Sequence, residues 1–303
     1  MKWLDSPAAI SEAVEQVAPE LSGLPIVPRE LVNKDEPLWW SSSAVVGERH
    51  VAKFAWSRPA ALRLAHEIAV LAALSREPAV PFLPKVVASS TDPLLLVTEL
   101  VPGTSLFEIV DVIDREQAGR QLARFLGELH QARDRLDDVP PAGLQPAATD
   151  TLRARFGRWI RPEQRATVIR WCDWADEVLA RPAPQVLVHA DLHGGNQIWY
   201  GDELRAVVDF ETAGLAEPEY DLRAFPGTGP GLELLTATMR HYQEFTGRTL
   251  DPDRVMAWHL RTALADALWR SEAGVPLPDH RTPPEWVEDL STRFAALTPK
   301  PPT

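Results

Sequence analysis

Between Val186 and Phe210 the chain gathers the residue types that phosphoryl-group chemistry requires. An apolar run, Val186-Leu187-Val188, ends at His189, and Asp191 and Asn196 follow within a short glycine-containing loop. A second apolar run, Ala206-Val207-Val208, ends at Asp209. With both runs as strands, one edge of a small β element receives two carboxylates, an amide and an imidazole. One carboxylate can orient an attacking hydroxyl and accept its proton, while hard oxygen ligands hold Mg2+ against a triphosphate. Asp191 suits the first task; Asn196 and Asp209 suit the second. Two protein ligands suffice, because Mg2+ keeps waters and substrate oxygens.

Each residue also has a plainer reading. A lone aspartate at a strand end usually caps a turn, and Asp191 departs from that only through the company of Asn196 and Asp209. Asp221 keeps it: it precedes a helical stretch and is expected to be a structural cap supporting the loop. His189 is expected to fix the loop by hydrogen bonding rather than to carry a proton. The order His189, Asp191, His193 invites a zinc or iron reading, but no further cluster at ligand spacing accompanies it.

The set resembles the signature of the aminoglycoside phosphotransferase family: His-x-Asp, four residues, Asn, then a strand ending in Asp. His189, Asp191, Asn196 and Asp209 fill those places, and Ala190 stands where the family usually has Gly. The runs Glu211-Thr212-Ala213-Gly214 and Pro218-Glu219-Tyr220-Asp221-Leu222 also follow the family's downstream pattern, and the likeness extends over residues 38–225. It implies an α+β, bilobal, protein-kinase-like fold. Residues 1–100 would form a nucleotide-binding lobe of antiparallel sheet plus one helix, and residues 101–303 a mainly helical catalytic and substrate-binding lobe. ATP (or GTP) and Mg2+ are the implied cofactors, with Asp191 the catalytic residue. Lys53 falls where the family's phosphate-contacting lysine lies, and Glu67 where its ion-pair partner lies. Thr98 and Leu100 fall on the hinge strand, whose backbone groups hold adenine. The stretch from Trp40 to Ala44 would cover the phosphates; it lacks glycine, so the hydroxyls of Ser42 and Ser43 and backbone N–H groups would have to serve. The hairpin and helix around Lys53 are similar to those of hygromycin-type phosphotransferases.

Periodicity supplies the elements that must position these residues. Ser6 and Pro7 open a helix with Ile10, Val14 and Val17 at helical spacing, closed by Pro19 and Gly23. Trp39 to Ser43 reads as an incoming strand and its loop. Ala44–Val46 and Val51–Trp56, joined through Gly47-Glu48-Arg49-His50, predict a hairpin that carries Lys53. Pro59 to Leu74 predicts a helix with Leu64, Ile68, Leu71 and Ala72 as its apolar face and Glu67 off that face. Lys85–Ala88 and Pro93–Glu99 predict two more strands, with Ser89 to Asp92 as the turn. Beyond Gly103 the patterns are mostly helical. Asp114 caps a helix with the stripe Ala118, Leu122, Phe125, Leu126 and Leu129, and Asp134 to Thr149 is a proline- and alanine-rich loop. Leu152–Leu179 is helical, Gln185–Val188 and Ile198–Tyr200 read as a β pair, and Asp221–Ala296 is helical again.

Composition narrows the partners. The net charge of −12 and pI near 5.2 oppose a nucleic-acid footprint. Cys172 is the only cysteine, no apolar run reaches membrane-spanning length, and the first residues lack a signal-peptide pattern. A cytoplasmic monomer or homodimer with no membrane partner is expected. The substrate pocket is expected between the catalytic loop and residues 152–179 and 250–273. Asp173, Asp176, Glu177, Asp266 and Glu272 could hold a cationic molecule there, with Trp269 and Glu211 as further candidates. An aminoglycoside-type antibiotic is the acceptor the family resemblance implies, and resistance the role. The same family fold also serves choline, homoserine, thiosugar, macrolide and other hydroxyl compounds. A non-catalytic nucleotide-binding regulator is the remaining reading. The intact set Lys53, Glu67, Asp191, Asn196 and Asp209 opposes it.

Overall fold

A computed structural model describes residues 6–30, 42–136, 147–227 and 231–297. Trp39, Trp40 and Ser41, expected as an incoming strand and phosphate-covering loop, lie outside the described residues, as does most of the stretch from Asp134 to Thr149.

Helix α1 (Pro7–Val17) begins where expected. Ser6 Oγ accepts from the Ala9 N–H, and Pro7 occupies the first turn, where its missing donor costs nothing. Strands β1 (Ile26–Glu30), β2 (Ser42–Val46), β3 (His50–Phe54), β4 (Val86–Thr91) and β5 (Leu94–Glu99) form an antiparallel sheet in the order β1-β2-β3-β5-β4. One sheet face, made by Ala44, Val46, Ala52, Phe54, Leu95 and Val97, packs on Ile10, Ala13 and Val14 of α1. Strand β1 escaped the sequence pattern because Pro28 interrupts its short apolar run; as an edge strand it tolerates the missing donor. The β2–β3 turn holds Gly47 and Glu48 at φ +57° and +60°. A Cβ on Gly47 would come within 2.6 Å of Cδ1 of the exposed Leu24 side chain, which would have to shift, and the positive φ itself favours glycine.

Two expectations shift here. The supposed turn Ser89 to Thr91 is strand, paired with Leu94 to Leu96, and Asp92-Pro93 alone makes the reversal. Helix α2 (Arg58–Leu74) buries Ala60, Leu64, Glu67, Val70, Leu71 and Leu74, whereas Ala72 is exposed and Ile68 half-buried. Its inner face is thus rotated toward Glu67. A carboxylate takes a core position because a lysine from the sheet meets it there.

The rest of the chain is mainly helical. Short strand β6 (Thr104–Ser105) leads into α3 (Leu106–Ile109) and α4 (Arg115–Ala132), whose expected stripe is fully buried and whose N-cap Asp114 accepts from the Glu116 and Gln117 N–H groups. Helices α5 (Thr149–Arg155) and α6 (Pro162–Leu179) divide the stretch expected as one, the break falling just before Pro162. Next come β7 (Val186–Val188), β8 (Gln197–Tyr200), β9 (Glu203–Val207) and β10 (Gly214–Ala216). The expected pairing of β7 with β8 is corrected: β7 pairs with β10, and β8 lies between β6 and β9. A 3-10 segment, Pro218–Gly227, then leads to α7 (Leu232–Thr246), α8 (Pro252–Ala273) and α9 (Pro283–Leu297). Helices α4 and α7 approach closely at Gly119, where a Cβ would meet the Ala237 Cβ at 2.7 Å. The whole is a bilobal α+β, protein-kinase-like fold, with an antiparallel sheet and helix before a mainly helical remainder. Among the described residues no helix is long and apolar enough to cross a membrane.

Candidate active site

The loop after β7 is fixed from beneath before it presents anything to solvent. Asp221 Oδ2 accepts from the His189 N–H at 3.1 Å and Oδ1 from the Ala190 N–H at 2.7 Å. His130 on α4 donates from Nε2 to the same carboxylate at 3.1 Å, and its Nδ1 faces the Tyr242 hydroxyl at 2.9 Å. Burial works to raise the Asp221 pKa, but the His130 bond and the loop amides outweigh it and hold the carboxyl below its ordinary value. Asp221 is therefore a support, as expected, though it caps the loop's amides rather than a helix end. His189 is the second support. It donates from Nε2 to the Val208 carbonyl at 2.9 Å and accepts the Asp191 N–H on Nδ1 at 3.2 Å. Burial lowers its pKa and favours the neutral ring, whose tautomer these two bonds fix.

On that base Asp191 is 39% exposed. Asn196, in the 3-10 turn that follows, donates its Nδ2 to the Asp191 carbonyl at 2.9 Å and to Oδ2 at 3.3 Å. That leaves the amide oxygen of Asn196 as its metal-competent atom. The Val208 N–H donates to the Asn196 carbonyl at 2.9 Å, locking the loop to the end of β9 and so to Asp209. Ala190 and Asp209 both adopt left-handed backbone conformations, φ +67° and +73°.

Asp209 is reached from the sheet. Lys53 Nζ on β3 donates to Asp209 Oδ1 at 2.8 Å and to the two Glu67 oxygens at 2.7 and 2.9 Å. Glu67 also accepts from the Phe210 N–H at 3.3 Å, while Arg63 donates to Glu211 at 2.9 Å and His66 to the Ala213 carbonyl at 2.6 Å. Helix α2 is thereby stitched to residues 210–213 just beyond β9. Burial alone would lower the lysine pKa, but Asp209 and Glu67 outweigh it and hold the ammonium above its ordinary value. For Asp209, burial opposes ionisation and Lys53 overrides it, so its pKa falls; Glu67, enclosed and close to Asp209, is raised.

Thus Lys53, Glu67, Asp191, Asn196 and Asp209 converge. The other sequence candidates fare differently. Ser43 pairs across the ladder with Lys53 and shares its face, but Ser42 pairs with Phe54 and is buried on the α1 side. Alternation along a strand allows only one of the two hydroxyls to face Lys53. Thr98 lies in β5 opposite Val51, whereas the Leu100 N–H is already donated to the Arg49 carbonyl at 2.8 Å. An adenine contact through the Leu100 N–H would need that bond to open. The carboxylates expected to face a cation are engaged by arginines: Asp173 and Asp176 with Arg153, Asp266 with Arg270, Glu272 with Arg155, and Glu211 with Arg63. Trp269 lies under the Arg270 guanidinium at 5.3 Å, and Glu177 is exposed.

One neighbour of Asp191 was missed, Arg223, whose Nη2 lies 3.9 Å from Oδ1; His193, weighed in the sequence as a metal ligand, has its Nε2 3.6 Å from Oδ2. His193 itself stacks against half-exposed Phe107 with centroids 6.1 Å apart. No periodicity singles out an arginine in a 3-10 segment; the only available signal was its place two residues beyond Asp221.

With this geometry in hand, comparison with known proteins is informative. The profile described as the phosphotransferase enzyme family matches residues 39–258. Among solved structures, the GDP complex of wild-type aminoglycoside 2'-phosphotransferase-IIIa is 18% identical, with a TM-score of 0.70 over 95% of this chain and 98% of that one. Macrolide 2'-phosphotransferase type I is 20% identical with a TM-score of 0.62, covering 99% and 100% of the two chains. A spectinomycin phosphotransferase in complex with ADP and spectinomycin is 11% identical with a TM-score of 0.64, covering 95% of each. At these identities the likeness is one of fold. No curated protein matches the sequence.

Proposed function

The chain belongs to the phosphotransferase enzyme family, and from that premise we propose that it moves the terminal phosphoryl group of ATP (or GTP) onto a hydroxyl of a small molecule. The observation that carries this reading is the ionic triad in which Lys53 joins Glu67 on α2 to Asp209 beyond β9, at 2.7 and 2.8 Å, beside Asp191. Together with Asn196, it would supply a phosphate-binding cation, two hard oxygen ligands and a base.

Residues 1–100 would serve as the nucleotide-binding lobe and residues 101–303 as the catalytic and acceptor-binding lobe. Lys53 would grip the phosphates, held by Glu67 so that it cannot collapse fully onto Asp209. The amide oxygen of Asn196 and the Asp209 carboxylate fit Mg2+, which when bound would neutralise charge on the phosphates. Asp191 would orient the acceptor hydroxyl and take its proton. The acceptor oxygen would then bond to the terminal phosphorus as the bridging P–O bond breaks and the nucleoside diphosphate leaves. Positioning and charge neutralisation do the work, with no covalent enzyme intermediate.

An antibiotic acceptor is supported by the family and by the named fold relatives, and an aminoglycoside was the acceptor expected first. A second reading, a hydroxyl compound without several ammonium groups, is favoured by one observation: the carboxylates that would hold a polycation already pair with arginines. The test is Asp191→Asn. It should leave ATP binding intact by titration calorimetry while phosphoryl transfer falls by about 10^2- to 10^4-fold, the usual contribution of a general base. A wild-type protein that binds ATP but phosphorylates nothing across antibiotic and metabolite panels would instead favour a regulator.

A further inference from the structure

The edge of Asp191 turned away from the candidate metal ligands is basic. Asn196 and His193 both approach Oδ2, at 3.3 and 3.6 Å, whereas Arg223 Nη2 lies 3.9 Å from Oδ1. Arg223 is held in place from several directions. Its Nη1 donates to the Tyr220 carbonyl at 3.1 Å, and its guanidinium sits 4.1 Å from the centroid of the buried Tyr220 ring. Its own carbonyl accepts from His259 Nδ1 at 2.7 Å, and Arg293 on α9 donates to His259 Nε2 at 2.7 Å. That second bond requires a neutral His259, in keeping with burial and the nearby Arg293, which push its pKa down to about 3.

A second guanidinium extends the surface. Tyr220 meets Trp258 edge-on at 4.8 Å, and Arg261 lies over the Trp258 ring at 4.9 Å. Two arginines therefore rest on one aromatic pair beside the catalytic loop. Among the surrounding helices, Arg153 engages Asp150, Asp173 and Asp176, and Arg254 engages Glu217, while Asp176 also lies close enough to Arg261 to act on its charge, so Arg223 is the cation that bears on Asp191.

The geometry points to an acceptor whose reacting hydroxyl stands next to a carboxylate or similar anionic group, which Arg223 binds. The inference rests on the phosphotransferase reading above and deepens only its acceptor class. An anion brought up to a nucleotide's terminal phosphate needs a cation at its own end of the site, or repulsion between the two would oppose the approach. Arg223 supplies that charge, and its planar fork matches a carboxylate. A polycationic amino sugar would meet like charge at the same place.

Nucleoside diphosphate release, measured with the full chain, ATP and Mg2+, tests this. The acceptor panel is D-galacturonate and D-gluconate, their neutral counterparts D-galactose and myo-inositol, and kanamycin. The acids should exceed the neutral compounds in kcat/KM by about 10-fold or more, as a hydrogen-bonded charge pair allows. Arg223→Ala, which also removes a cation from beside Asp191, should cost the acids about 10- to 100-fold more than the neutral acceptors, mainly through KM. Arg223→Lys, which keeps the charge but not the fork, should recover part of the loss, and separates this effect from misfolding. Turnover of kanamycin or the neutral compounds in preference to the acids, with a ranking that Arg223→Ala leaves unchanged, overturns this inference and spares the phosphotransferase reading. Turnover of nothing, with ATP still bound, overturns both.

Discussion

The two flanks of Asp191 are held by different physics. On the flank assigned to the nucleotide, Lys53, Glu67 and Asp209 come from three separate segments and bond as charges at 2.7 and 2.8 Å. On the flank assigned to the acceptor, Arg223 and Arg261 lie on the rings of Tyr220 and Trp258, and a neutral histidine fixes the Arg223 backbone. An enclosed ionic triad fails abruptly, because removing one member strands the charge of another. A stack of rings and guanidinium groups loses strength by degrees. The first arrangement suits a part of the reaction that does not vary with acceptor, and the second a part that must.

The largest effect should come from Lys53→Met. It leaves Glu67, almost fully enclosed, without its cation, and releases Asp209 as well. Breaking a buried pair on one side costs about 3–5 kcal/mol. Urea unfolding should show a loss of that size, and adding Glu67→Gln in the same chain should restore part of it, because the stranded charge is then gone. Nucleotide affinity should fall in both variants. If Lys53→Met destabilises no more than Arg223→Ala, the contrast between the flanks is wrong.

Acid should separate the flanks in the opposite order. His259 is neutral in the folded protein down to about pH 3, whereas in the unfolded chain it takes up a proton near its ordinary value of 6.5. Between those limits the unfolded state holds the extra proton, so stability falls as pH falls. His189, also depressed by burial, adds to the slope with the same sign. Asp209, whose pKa is likewise lowered, keeps its contribution above the ordinary carboxylate range and loses it only further down. Unfolding free energy measured from pH 6.5 to 4.5 should therefore drop, with His259 responsible for about 1.4 kcal/mol per pH unit at most. His259→Gln should flatten the profile by that share. An unchanged profile would place the acid-sensitive group elsewhere.

What the sequence disclosed follows the same division. Asp191, Asn196 and Asp209 were legible because they sit close together at fixed spacing between two apolar runs, so local pattern alone brought them together. Lys53 stands out as a lysine inside an apolar strand, but its role and its partner Glu67 became legible only through family resemblance, since helical periodicity ranks Glu67 as a surface residue until the lysine opposite is known. Ser42 and Ser43 could not be told apart without the register that sets Ser43 opposite Lys53. The β7–β10 pairing was hidden because a three-residue strand such as Gly214–Ala216 has too few alternations to read. The acceptor flank was hidden for a further reason. Arg223, Trp258 and Arg293 come from three elements with no common motif, and only packing of the 3-10 segment against α8 and α9 makes them neighbours.

The smallest effect bears on the loop between the flanks. Ala190 stands where the resembled family usually has Gly, and its φ of +67° gives the reason: an L side chain is disfavoured there by about 1–2 kcal/mol. Ala190→Gly removes that penalty but adds chain entropy to the unfolded state and gives up a buried methyl worth about 0.8 kcal/mol. The opposing terms nearly cancel, so the unfolding free energy should stay within about 1 kcal/mol of wild type. Asp209, at φ +73°, carries the same kind of backbone penalty without that freedom. Asp209→Gly relieves the backbone equally and loses the bond to Lys53, so it should be markedly destabilising in the same urea titration. If both variants prove neutral, Lys53 draws its stability from Glu67 alone, and the triad on the nucleotide flank reduces to a pair.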